Sequence, residues 1–210
     1  GSSGSSNKSI LALQVIETKD FFKRFYEEEE FLKELSASKS YNKEKNLLNF
    51  DDSKYAEGAW IAGKKPNLQK AHRDFMDLLT IDHDRLDGFV RIKIDHISPY
   101  VAKKWLDKII FQLNDHVATK ERLAAEKSVE FLQRQVLTTN KVDLRSLFSS
   151  MMVKQYETIM LSEVTDEFVL EVLDKPRVPD KKSKPSRAFI TIFLSLSGAF
   201  ISFLLVLFLD

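Results

Sequence analysis

Apolar positions recur at helical spacing from Lys8 to about Leu35, at Leu11, Val15, Ile16, Phe22, Phe25, Tyr26 and Leu32, which predicts one long first helix. The acidic run Glu27 to Glu30 falls on it and reads as a solvated face. Between Ser36 and Pro66 the periodicity lapses. Gly58, Gly63 and Pro66 mark connecting structure there, around a short strand at Trp60 to Ala62. A second helix is predicted from about Asn67 to Leu79. Gly88 to Asp95 then alternates strictly, with Val90, Ile92 and Ile94 on one side and Arg91, Lys93 and Asp95 on the other, the pattern of a half-buried strand.

Ser98 and Pro99 announce the next helix. Serine caps the free N–H groups of a first turn, and proline fits the first helical position, where no N–H is needed. The pattern runs to about Gln135, a rod of about 55 Å at 1.5 Å per residue. Its apolar stripe is dense at Trp105, Leu106, Ile109, Ile110 and Leu113 and thins between Asn114 and Arg122, so the helix is expected to leave the core there. Thr138 to Lys141 reads as a turn. Leu144, Leu147, Phe148, Met151, Met152, Tyr156, Ile159 and Met160 then restore a helical stripe, giving an antiparallel hairpin over about residues 99–162. The mostly apolar run Glu167 to Leu173 is predicted to return as a strand, ended by Pro176 and Pro179. This order predicts an α/β (α+β) domain over residues 7–175 with a projecting helical hairpin.

From Ala188 to Leu209 no residue is charged, and fifteen are Phe, Ile, Leu or Val. At about 33 Å this segment matches a hydrocarbon core of about 30 Å, which predicts a transmembrane helix. Ser195 and Ala199, and Gly198 and Ser202, stand four apart and are candidate contacts for a second such helix. Residues 176–187 form a proline-rich basic connector containing Pro176, Pro179 and Pro185. Its Lys181, Lys182, Lys184 and Arg187 would place this flank in the cytoplasm on the charge rule alone. Residues 1–6 read as a flexible Gly/Ser linker or tag, and the opening at Gly1 reads as that of a fragment, a processed chain or a tagged one.

Composition narrows the chemistry. A net charge of +1 supplies no basic field for nucleic acid, and the lack of cysteine removes disulfides and thiolate chemistry. His72, His83, His96 and His116 are unpaired at ligand spacing. The compact set Asp82, His83, Asp84 lies in a predicted loop without a second ligating element. No phosphate loop and no nucleophile elbow occurs. Phe75, Phe89, Trp105, Phe111 and Tyr156 fall at periodic positions and read as core. No catalytic, cofactor-binding or metal-ligating residue is nominated.

Three stretches in order carry a resemblance: SILALQVIETKDFFKRF (Ser9 to Phe25), DGFVRIKIDHISPYVAKKWLDKIIFQLN (Asp87 to Asn114) and YETIMLSEVTDEFVLEVLDKPRVPDKKSKPSRAFI (Tyr156 to Ile190). Together they resemble the bacterial polysaccharide chain-length determinants, the Wzz-type polysaccharide co-polymerases. The Ser98-Pro99 helix start with Trp105 beyond it, and the proline connector feeding a terminal membrane helix, are its most specific marks. The chain departs from the family pattern where Lys175 intervenes between Asp174 and Pro176, while Pro179 falls in place. The first membrane helix and the strand that the family carries near its N-terminus are absent from these 210 residues.

The resemblance implies a domain in the periplasm on the bacterial inner membrane, a side-by-side homo-oligomer, and no catalysis. It also implies control of polysaccharide chain length, typically lipopolysaccharide O antigen, beside a membrane polymerase and in reach of the growing polysaccharide. Two rivals are weighed with it. One is the outer and membrane part of a tyrosine-kinase-type capsule or exopolysaccharide export protein. The other, a periplasmic adaptor, would need a lipoyl-like β segment that the sequence lacks.

Overall fold

The computed structural model describes residues 11–84, 89–178, 191–193 and 195–198. The chain divides into two units, Gly1–Arg177 and Val178–Asp210. In the second, residues 191–193 and 195–198 are helical. The rest of the expected span over Ala188 to Leu209, including Ala199 and Ser202, lies outside the described residues, as do Pro179 and Pro185. Among the described residues no helix is long and apolar enough to cross a membrane.

In the first unit the expected long opening helix is three short ones: α1 (residues 11–16), α2 (Lys19–Tyr26) and α3 (Glu29–Ser36). The reason is geometric. At about 100° per residue, Ile16 and Phe25 would face opposite ways on one straight helix, yet both are fully buried. Breaks at Glu17–Thr18 and Glu27–Glu28 let every segment turn its apolar side inward. Thr18 makes the first break a defined cap, its Oγ1 accepting from the Phe21 N–H at 3.2 Å.

The segment read as connecting structure contains two antiparallel hairpins, β1 (Ser38–Asn42) with β2 (Leu47–Phe50), and β3 (Tyr55–Ala56) with β4 (Ala59–Trp60). The turn cues are local. Asn46 takes a positive φ of 48° and accepts from the Tyr41 hydroxyl at 2.8 Å. Glu57 and Gly58 form a two-residue turn with φ of 53° and 81°, the backbone that tight hairpins require.

Helix α4 (Leu68–Met76) follows, capped by Asn67, whose Oδ1 accepts from the Lys70 N–H at 2.8 Å. Strand β5 (Leu79–His83) pairs antiparallel with β6 (Val90–Ile94), so the set Asp82, His83, Asp84 runs along a strand and just past its end rather than through a loop. Val90, Ile92 and Ile94 pack on the core while Arg91 and Lys93 are exposed, as the alternation predicts.

Helix α5 (Pro99–Thr138) is 40 residues long and α6 (Val142–Val164) 23, and they form the hairpin. Residues 165–178 contain no strand, against the expectation for Glu167 to Leu173. Their backbone is held instead by side chains, Asn114 above all, with Glu167 Oε2 accepting from the Val172 N–H at 3.2 Å. Asn114 Oδ1 accepts from the Val169 and Leu170 N–H groups at 2.8 and 2.9 Å, and its Nδ2 donates to the Leu170 carbonyl at 3.2 Å. The amide thus replaces a sheet partner. The fold is α+β, with every strand in a two-stranded antiparallel sheet.

Candidate functional site

The sequence singles out Ser98, Pro99 and Trp105, and the structure joins all three at the root of α5. Ser98 is the N-cap, buried, with its Oγ accepting from the Val101 N–H at 3.4 Å, and Pro99 opens the first turn. Nearly two turns on, Trp105 is 1 % exposed and sits on Phe31 with ring centroids 4.5 Å apart. Its indole N–H donates to Glu34 Oε2 at 2.8 Å. Glu34 Oε1 receives Lys104 Nζ at 2.5 Å, so this buried carboxylate has a donor on each oxygen, the condition for burying a charge without a large penalty. His96 completes the base, its ring 5.0 Å from Trp105 and its Nε2 3.2 Å from the Glu34 carbonyl.

A ladder of ion pairs fixes α3 to α5 beside this core. Lys104 also reaches Glu30 at 3.1 Å, and Lys108 pairs with Glu28. The acidic run is thus a docking edge, although its side chains are largely exposed and each pair contributes little alone. The Glu30 carboxyl is held below its ordinary range, first by the hydrogen bond from Lys104. Burial alone would lower the Lys104 ammonium, but its bonds to Glu34 and Glu30 outweigh that and hold it raised.

Farther along, Arg24 Nη2 lies 3.0 Å from His116 Nδ1, and burial followed by the Arg24 charge pushes the imidazole pKa down. The unfolded chain therefore binds the proton more readily. This contribution to stability is present above about pH 6.5 and is lost as pH falls through the lower folded value. Urea unfolding of the full chain between pH 7.5 and 5 is expected to show stability decreasing toward acid. His116→Gln is expected to flatten that slope, and an unchanged slope would remove His116 from the account.

Beyond Leu113 the central core ends, and α5 and α6 form a seam of their own. On α5, Ala118, Ala125, Val129 and Leu132 are buried at spacings of seven, four and three. On α6, Phe148, Met152, Gln155, Ile159 and Ser162 are half-buried in the matching four-three rhythm, with Thr158 half-buried beside them, the spacing of helices packed side by side. No residue of α6 is fully buried. Leu144, Leu147 and Met151 are exposed on one flank, Val153 and Met160 on the other, and Leu161 and Val164 on the back of the helix between them. Met160 follows Met151 by nine residues, which is about 180° around the helix. Helix α6 therefore exposes apolar side chains on both sides of its seam, joined across the back by Leu161 and Val164.

Phe75 and Trp105 are core as expected, but Phe89, Phe111 and Tyr156 are at least half exposed. Phe111 is two residues from buried Ile109, hence on the far side of the helix. Asp84 pairs with Arg91 at 3.8 Å, and among the described residues no three His, Cys, Asp or Glu side chains gather as a metal site. Ser195 and Gly198 are exposed on the described part of the C-terminal helix, and Pro176 lies in irregular chain. Among the described residues a methyl group at Gly198 would meet nothing within 4 Å. Asn114 was missed as an anchor because a lone polar residue on a helix carries no periodic signal.

The features above define an α+β protein built around a long antiparallel helical hairpin. No family model matches the chain, and no curated protein matches it.

Proposed function

We propose that the protein is a non-enzymatic scaffold of the bacterial inner membrane that sets polysaccharide chain length, with its main domain in the periplasm and its C-terminal segment in the bilayer. The observation that carries this reading is the exposed apolar surface of α6 on both sides of its seam. A single flank would suit an isologous dimer. Two different flanks on opposite sides suit side-by-side, heterologous contacts that close into a ring. Exposed apolar area of this kind is costly in a monomer and marks an interaction surface. The resemblance in the Ser9–Phe25, Asp87–Asn114 and Tyr156–Ile190 stretches supplies the role: the ring holds a membrane polymerase and limits the polymer it makes.

Heterologous contact has a specific signature. A variant charged on one flank, Leu147→Glu with Met151→Glu, and another charged on the opposite flank, Val153→Glu with Met160→Glu, are each expected to sediment as monomers in detergent. Mixed together they retain one intact pair of flanks and are expected to form heterodimers. Homodimers of either variant, or no heterodimer, would exclude the ring. The functional test is deletion of the gene followed by electrophoresis of the surface polysaccharide, where a broadened or shifted length distribution is expected and an unchanged one overturns the role.

A further inference from the structure

Away from the hairpin, an open cleft of about 530 Å³ lies between the β1–β2 hairpin and the β3–β4 turn. Its volume falls within the usual range for small-ligand sites, about 300 to 1,000 Å³. Two local irregularities fall at residues that line it. The register of β1 against β2 slips between Ser38 and Ser40, a bulge that leaves Lys39 unmatched at the cleft, and bulges commonly re-aim a side chain. Across from it, Glu57 occupies the first turn position at φ 53°, a conformation that Asn or Gly adopts at lower cost. Glycine stands only at the second position, Gly58. The less favourable residue thus stands at the edge of the cleft, which it lines.

We propose that this cleft binds a saccharide. Lys39, Asp52 and Glu57 line it, and the Lys39 charge also acts on Asp51. Asn49 adds an amide, which donates to Ser40 Oγ at 3.2 Å and keeps further bonding capacity. Phe50 and Tyr55 supply apolar ring surface, steadied by Lys33, whose Nζ lies 4.7 and 5.5 Å from the two ring centroids. A sugar ring suits this mixture: its hydroxyls both donate and accept, and its C–H faces pack on aromatic rings. A simple anion would meet two carboxylates, and a metal cation would meet the Lys39 ammonium. An apolar ligand would strip water from three charged groups and replace none of their hydrogen bonds. The inference rests on the polysaccharide reading for the kind of sugar, while the chemistry of the cleft stands on its own residues.

The test uses the full chain in a sugar-free amine-oxide detergent, titrated calorimetrically with chitohexaose, isomaltohexaose and delipidated O polysaccharide, and with phosphate and calcium ions as controls. Saturable binding of at least one glycan, with neither ion bound, is expected. Glu57→Asn combined with Asp52→Asn is expected to weaken that binding at least tenfold. Glu57→Asn alone is expected to leave the melting midpoint unchanged or raise it by about 2 °C, because an Asn-Gly turn suits this backbone better. Failure of every glycan to bind, binding of an ion instead, or equal affinity in the double variant would overturn the proposal. The polysaccharide reading fails separately: an unchanged length distribution after gene deletion removes the role even where the cleft binds sugar, and an altered one without glycan binding removes the cleft alone.

Discussion

Trp105→Ala is expected to lower the unfolding free energy by about 3 to 5 kcal/mol, the range for removing a large buried aromatic from a packed core. The side chain is 1 % exposed and packs on Phe31, Phe75 and His96 at centroid distances of 4.5, 6.3 and 5.0 Å. Alanine leaves a cavity bounded by these rings and takes away the donor on Glu34 Oε2. Trp105→Phe separates the two effects. It keeps most of the ring volume but orphans one carboxylate oxygen, and is expected to cost about 1 to 3 kcal/mol. Pairing Trp105→Phe with Glu34→Gln removes the buried charge and is expected to cost less than the two single losses added. Urea unfolding of the four proteins gives the coupling directly. Strict additivity would show that the indole–carboxylate bond contributes nothing of its own.

Asn114→Ala is expected to release the segment after α6. Three backbone groups, the N–H of Val169 and both polar groups of Leu170, hydrogen-bond to this one amide. Leaving a partly buried polar group unpaired costs about 1 to 3 kcal/mol, so three exceed what a short irregular segment can hold. Local detachment then limits the loss of global stability to about 3 kcal/mol, because detached groups regain water. Hydrogen exchange resolves it: amides 169 and 170 are expected to lose protection while those around Trp105 keep theirs. Asn114→Asp keeps the acceptor for both N–H groups but turns a carboxylate toward the Leu170 carbonyl. Its segment is expected to be held more tightly at acid pH, where a protonated carboxyl can donate. Retained protection in the alanine variant would show that apolar packing of Val169 and Leu170 suffices.

How legible the molecule was in its sequence depends on the range of the forces involved. The start of α5 was readable to the residue because capping by Ser98 and the N1 preference of Pro99 act within one turn. The hairpin and the alternating strand β6 were readable because their periodicities persist over several residues. The first helix was misread because its periodicity survives two breaks, and only the demand that Ile16, Phe22 and Phe25 share one core forces the chain to fold back. In residues 36–66 the sequence pointed to one short strand at Trp60 to Ala62, found as β4 at Ala59–Trp60, and gave no sign of the other three. The hairpins are short and set by positive φ at Asn46 and Glu57, and neither apolar alternation nor a Gly-rich turn announces them.

The candidate sites divide in the same way. Local chemistry in the chain settled where the long helices begin and turn and which strand is half buried. Three-dimensional packing alone decided that Glu34 meets Trp105 across 71 residues, that Asn114 clasps the backbone of Leu170 across 56, and that a bulge at Lys39 faces a strained turn at Glu57. A periodicity records which side of an element is apolar. It does not record which distant polar atom completes a buried hydrogen bond, because that partner is chosen by the whole core at once.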